Sequence, residues 1–378
     1  MEPSGPGGAD AGYWIGLSLV PEVGPVTARR LLSCLGSPRN IFHAPVGELL
    51  SVPGMTREKA GRIHSFSRWP EVEKSLKTVE RKGISVVGLY DDRYPEALRE
   101  VDDAPTVLFL RGEYRKDDRF GVAVVGSRRN TTYGEAVTRR ITSRLAEAGL
   151  TIVSGMARGI DTLAHRSALD AGGRTVAVLG AGPDVAYPAE NRGLMDEIAA
   201  SGCVISEFLP GTRPDREHFP RRNRLISGLS LGVLVVEAAL NSGSLITASY
   251  ALEQNKDVFA VPGNITARSS EGANRLLRQG ARIVLDADDV LAELAPALKG
   301  YLRPEARLAA CLSSAEEAVC RLLSPEPRQI DGIAREASMP VSRLLELLLG
   351  LELKGVVRQT EGKKFYLVWG GSSDTKTA

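Results

Sequence analysis

Residues 219–224 read FPRRNR, which sets Arg221, Arg222 and Arg224 around Asn223 and behind the ring of Phe219. Guanidinium groups carry a permanent charge and fork toward phosphate oxygens, so this spacing suits an anion site. The ordinary alternative is a solvated charged turn leading into a buried segment. Three other stretches offer related chemistry: Gly126, Ser127 and Arg128; Arg158 and Gly159; and Ser242, Gly243, Ser244 and Thr247. Small residues let backbone N–H groups approach an anion closely, and hydroxyls and arginines add contacts. Phosphate binding is the chemistry they share.

Catalytic patterns are thin. No GxGxxG or GxxxxGK[ST] is present, and GAGPDV at residues 180–185 lacks a third glycine and carries Pro183. Glu207 and Glu237 each follow an apolar run, but no nucleophile–base pair accompanies them. His165 reads as a packing residue on a helix. Cys34, Cys203, Cys311 and Cys320 form no CxxC pair and the four histidines are scattered, which points away from a metal or a disulfide framework. The expectation is a binding protein with no catalytic residue, metal or cofactor.

The elements that must position these stretches follow from hydrophobic patterning. Nine short β-branched runs, at residues 84–89, 106–112, 120–127, 150–156, 175–182, 203–208, 231–239, 256–263 and 281–286, alternate with helical segments such as 134–148 and 159–171. Continuous apolar runs between helices imply parallel strands covered on both faces. The fold class is therefore α/β, a Rossmann-like doubly wound, mostly parallel sheet, whose ligands sit beyond the carboxyl ends of the strands. All the candidate stretches lie after such runs.

Flanking segments differ in texture. VPEVGPVTARRLL and VPGMTREKAGRI form a faint repeat that aligns Pro21 with Pro53, Ala28 with Ala60 and Leu31 with Ile63. Each copy reads as a turn entering a helix, a helix-hairpin-helix (SAM-like) pattern able to hold phosphate without reading bases. Thr56 replaces a hairpin glycine in the second copy, which favours the first for DNA contact. Near the C-terminus, three helical patterns and two strands around residues 361–362 suggest a winged helix. Its third helix carries Arg343, Lys354, Glu346 and Glu352, a weak electrostatic footprint for duplex binding and one better suited to an accessory or protein-contact role. The expected division is 12–80 helical, 81–297 Rossmann-like, 298–312 linker, 313–370 winged helix and 371–378 disordered tail.

With 378 residues and 43% hydrophobic content, the chain can bury ordinary cores, and 48 Lys and Arg against 46 Asp and Glu leave any nucleic-acid role to a local patch. Neither a signal pattern nor an apolar run of about 18 residues is present, which points to the cytoplasm.

The order GSR, SGMARGIDTLAH, YPAEN, EF, FPRRNRLISGLS, VLVVEAALNSGSLITASYALE, VFAVPGN and GANRLL, across about residues 86–294, resembles the DNA-processing protein A family (DprA, also called Smf). Ala181 in GAG and the Asn255–Lys256 pair depart from the family's usual GCG and GR, away from the arginines. The resemblance implies a protein that binds single-stranded DNA, protects incoming or recombining strands, and helps load RecA in natural transformation and homologous recombination. It also implies a homodimer, and action on strands coated with single-strand-binding protein. Transferred residue by residue, it places Gly126, Ser127, Arg128, Phe219, Arg221, Arg222, Asn223 and Arg224 in a pocket gripping the strand backbone, the arginines neutralising phosphates and Phe219 meeting a base.

Two rival classes compete. A Rossmann-like phosphoribohydrolase would carry PGGxGTxxE, whereas Tyr250 stands three residues after Thr247. A ligand-sensing winged-helix regulator would need a basic recognition helix.

Overall fold

The computed structural model describes residues 10–299, 301, 313–324, 326–353, 357–360 and 362–367. It divides into two compact units, Met1–Val290 with Pro296–Leu298, and Leu291–Ala295 with Lys299–Ala378.

In the first unit each of the nine apolar runs contains a strand: β1 (Ile84–Gly88), β2 (Val107–Gly112), β3 (Gly121–Val125), β4 (Thr151–Ser154), β5 (Thr175–Leu179), β6 (Cys203–Ser206), β7 (Gly232–Val235), β8 (Asp257–Ala260) and β9 (Arg282–Ile283). They form one sheet in the order β1-β2-β6-β5-β4-β3-β7-β8-β9. From β6 to β9 all neighbours are parallel, while β1 and β2 extend the β6 side antiparallel. Every residue of β3, β4 and β5 is buried, as expected of strands covered on both faces.

From β3 the chain winds outward through β4, β5 and β6, then crosses back to lay β7 on the other side of β3, with Val124 opposite Leu234. The winding reverses between β3 and β7, and at such a reversal the connections leave the strand ends in opposite directions and open a crevice.

Helices Pro25–Leu35 and Arg57–His64 are the two repeat copies, and Ala28, Leu31, Ala60 and Ile63 are all buried. The copies hold each other: Arg30 donates to the Pro53 carbonyl at 3.3 Å, and Arg62, its equivalent, pairs with Glu22 at 2.8 Å. At the turn, Glu22 adopts φ +63° where the second copy has Gly54 at φ +79°. The turn of the first hairpin, the copy favoured for DNA contact, thus carries a carboxylate that draws Arg62 onto itself. Leu17, Leu31 and Ile63 share one core with Val87, Leu108 and Ile205, so this helical segment packs on the sheet.

In the second unit, helices Ser314–Cys320, Ile330–Glu336 and Val341–Leu353 precede a hairpin of β11 (Val357–Thr360) and β12 (Lys364–Leu367). A two-residue strand, β10 (Arg328–Gln329), completes the sheet in the order β10-β12-β11. Ile333, Leu344, Leu348, Leu351, Val357 and Phe365 form its core. The expected linker at 298–312 lies largely outside the described residues, as do the 371–378 tail and Lys354.

Candidate nucleic-acid interface

The loops after β3 and β7 meet at the winding reversal and are tied together. Glu237, just past β7, accepts from the Thr131 backbone N–H at 2.9 Å and from its hydroxyl at 2.5 Å. Thr131 in turn caps the helix Thr132–Glu147 by accepting from the Gly134 N–H at 3.1 Å. Both carboxylate oxygens of Glu237 are thus committed to holding loops. The loop after β4 joins through Gly159, whose φ of +76° disfavours a side chain, and whose added Cβ would lie 2.2 Å from the Ser127 carbonyl. Ser127 uses its hydroxyl locally, donating to the Arg129 carbonyl at 2.9 Å and accepting from its N–H at 3.1 Å.

The arginine-rich stretch is helical rather than a solvated turn: residues 219–224 lie within the helix His218–Gly228. Pro220 falls in the first turn, where an N–H has no intrahelical acceptor, so the proline does not break the helix. Helical spacing sends the side chains in different directions. Phe219 and Arg222 share the face toward the tips of β4 and β5. Asn223 donates to the Gly243 carbonyl at 3.2 Å, and Arg224 turns toward Glu207.

Arg222 and Arg224 require a second correction, since the sequence reading set them both on phosphates. Arg222 is buried; its Nη1 donates to the Gly155 carbonyl and, at 2.8 Å, to that of Val178, while its Nε donates to Asn223 Oδ1 at 3.1 Å. Gly155 is glycine for this reason, because a Cβ there would collide with the guanidinium. Arg224 is buried too, paired with Glu207 at 2.6 Å and Asp103 at 3.2 Å. The cause is topological: carbonyls at strand tips and a buried carboxylate compete for these guanidinium groups. Arg221 stays exposed, stacked 5.0 Å over the Phe208 ring with a long 3.4 Å contact to Glu207.

What faces solvent is smaller than expected. Arg128 is exposed, with its guanidinium carbon 5.2 Å from the centre of the half-buried Phe219 ring; among the described residues it has no ion-pair partner. Arg158 is exposed and paired with Glu190 through contacts of 2.6 and 2.8 Å. Gly126 lies at the base of the crevice beside Ile160 and the Glu237 carbonyl. At the adjacent helix Gly243–Glu253, Ser242 is the capping residue and accepts from the Ser244 N–H at 3.4 Å. Ser244 and Thr247 are themselves buried, which leaves Ser242 and Gly243 at the surface.

Electrostatics favour an anion at this mouth. Burial pulls the Arg222 guanidinium down to about 10, opposed by Asp161 and reinforced by the like charge of Arg128, so it remains a cation at neutral pH. Burial raises the Asp161 carboxyl against the pull of Arg222 and Arg128. His165 is fully buried, with Nδ1 2.6 Å from Thr175 Oγ1, and burial followed by the charge of Arg222 lowers it to about 3. It is a neutral packing group below the site. Among the described residues, no group of three or more His, Cys, Asp or Glu side chains is placed to hold a metal ion.

Sequence reasoning missed Tyr187, in the loop after β5. This residue is 45% exposed, and its ring centre lies 5.7 Å from that of Phe219. The YPAEN stretch was visible, but only strand order brings it to residue 219.

A doubly wound sheet with an arginine–aromatic mouth at its reversal, a tandem helix-hairpin-helix before it and a winged helix after it, defines a three-part α/β protein equipped for polyanions. The models that match are DNA recombination-mediator protein A over residues 85–295, the DprA winged helix domain over 303–363, and a SAM-like helix-hairpin-helix tandem over 16–68. The chain belongs to the DprA/Smf family. It is 34% identical to Protein Smf of Synechocystis sp. over 94% of this chain and 98% of that protein. The X-ray structure of DNA processing protein A from Streptococcus pneumoniae superposes with a TM-score of 0.65 at 36% identity, over 78% of this chain and 99% of that one. A Helicobacter pylori DNA processing protein A, whose structure is described for its single-stranded DNA binding mode, matches with a TM-score of 0.51 at 30% identity, over 57% and 96%.

Proposed function

We propose that this chain binds single-stranded DNA at the crevice between β3 and β7, protects incoming or recombining strands, and helps load RecA onto them. The observation that carries the reading is the exposed Arg128 guanidinium set over the Phe219 ring where the sheet reverses. Single-strand binders combine such cations for phosphates with aromatic faces for bases. Gly126, Ser127, Arg158, Gly159, Arg221, Ser242 and Gly243 surround the strand path. Arg222, Asn223, Arg224, Ser244 and Thr247 position it from beneath. Arg128 and Arg158 meet phosphates, the latter by exchanging Glu190 for a phosphate oxygen.

Residues 81–297 carry this activity, and no catalytic step is assigned to them. The winged helix, 313–370, is an accessory: Arg343 is paired with Glu346 at 2.7 Å, and Val341, Leu345 and Leu349 are exposed on the same helix. A homodimer is the proposed assembly, supported by exposed Ile283 and Leu285 at and beside the outer strand β9. Strands coated with single-strand-binding protein are the proposed natural substrate, in the cytoplasm. Among the described residues no helix is long and apolar enough to cross a membrane.

The test is fluorescence anisotropy of a labelled oligothymidine with duplex competitor, followed by RecA nucleation on coated strands. Expected are single-strand preference and a shorter RecA lag. Log affinity should fall linearly with log salt, and Arg128→Ala should flatten that slope by about 0.7 per phosphate lost. Equal affinity for duplex, or an unaltered slope in the variant, counts against the assignment.

A further inference from the structure

Tyr187 is a large ring left at the surface beside the proposed site. It is 45% exposed, and its hydroxyl makes no hydrogen bond among the described residues, so neither core packing nor a polar anchor accounts for it. The loop beneath it is fixed. Asn191 donates to the Met156 carbonyl at 3.0 Å and to Thr162 Oγ1 at 2.8 Å, and its backbone N–H donates to the Pro188 carbonyl at 3.1 Å. Gly182 donates to the Thr212 carbonyl at 2.9 Å.

Phe219, the neighbouring ring, is seated against Gly180, where a Cβ would come within 3.1 Å of it. The two ring centres lie 5.7 Å apart with planes tilted by 36°, a geometry that leaves Tyr187 open rather than stacked face to face with Phe219. Exposed guanidinium groups lie near the pair: Arg128 lies over Phe219, and Arg158 is held by Glu190, three residues beyond Tyr187 in the same segment. An aromatic ledge between two cations fits a strand whose bases have π-faces and whose phosphates lie on either side.

We infer that Tyr187 is a second base-stacking platform of the single-strand site, taking an unpaired nucleobase on its exposed ring while Arg128 and Arg158 hold flanking phosphates. The inference rests on the single-strand reading and adds a base-dependent, salt-independent contribution to it. Because every base has a π-face, the platform is tolerant of sequence.

The experiment compares full-length wild type, Tyr187→Leu and Tyr187→Phe for binding to an oligothymidine and to an abasic oligomer of equal length, across a salt series. Thermal melts check that each variant folds. Tyr187→Leu is expected to weaken oligothymidine binding by roughly 5- to 150-fold, with the same salt slope and unchanged abasic binding, while Tyr187→Phe stays near wild type. Oligothymidine affinity within twofold of wild type in Tyr187→Leu, or an equal loss on the abasic oligomer, would overturn the platform and leave the single-strand reading intact. Absence of wild-type binding to either oligomer would overturn that reading, and the platform with it.

Discussion

Glu207 and Arg224 meet at 2.6 Å with side chains 3% and 5% exposed, a nearly dry ion pair between the end of β6 and the helix that precedes β7. Among the described residues, Glu207 Oε1 has no hydrogen-bond partner of its own. Removing one member of such a pair strands the other charge, at a cost of about 3–5 kcal/mol. Arg224→Met should therefore lower the urea-unfolding free energy by about that amount, and Glu207→Gln added to it should restore part of the loss. The folded variant should keep the wild-type salt slope for oligothymidine. A stable variant with a flattened slope would instead make Arg224 a phosphate ligand.

Arg222 gives a different separation. Its Nη1 donates to the carbonyls of both Gly155 and Val178 beneath Phe219 while its Nε donates to Asn223 Oδ1, and lysine, with a single nitrogen, cannot make both sets of contacts. Arg222→Lys should lower the melting temperature and weaken single-strand affinity, since Phe219 loses its support. The salt slope, which counts phosphates touched, should hold. A variant with wild-type melting and a reduced slope would place Arg222 on the DNA.

His165 makes stability depend on acid. Its imidazole sits at about 3 in the folded protein against about 6.5 when unfolded. Between those values the unfolded chain binds the extra proton, so this residue's contribution is complete above about 6.5 and declines as pH falls toward 3. Asp161 acts in the opposite sense: its raised carboxyl favours the folded state at low pH and loses that advantage as pH rises through its folded value. Comparison with His165→Gln isolates the histidine. The stability difference between wild type and variant should shift against wild type by up to ~1.4 kcal/mol per pH unit below about 6. Parallel urea curves from pH 7.5 to 5 would rule this out.

Much of the sheet was legible because buried parallel strands must be apolar throughout, and the nine runs had no other use for so many β-branched residues. The helices read at 134–148 and 159–171 run Thr132–Glu147 and Ile160–Asp170, within two residues at each end. The direction of the arginines was not legible. Charge in a sequence looks like surface, and only the strand order reveals that carbonyls of residues 155 and 178 converge on Arg222. Pro220 disguised a first helical turn as a loop. Strand β10 escaped notice because two residues carry no periodicity. Tyr187 sits in the loop after β5 and Phe219 in the helix before β7, and their meeting depends on the strand order, information that no local window contains.

Because Arg222 fastens the helix under Phe219 to the tips of β4 and β5, the protein side of the proposed site is held in place by the fold itself. The conformational entropy lost on association then falls on the DNA, whose free single strand is flexible, rather than on the loops that receive it.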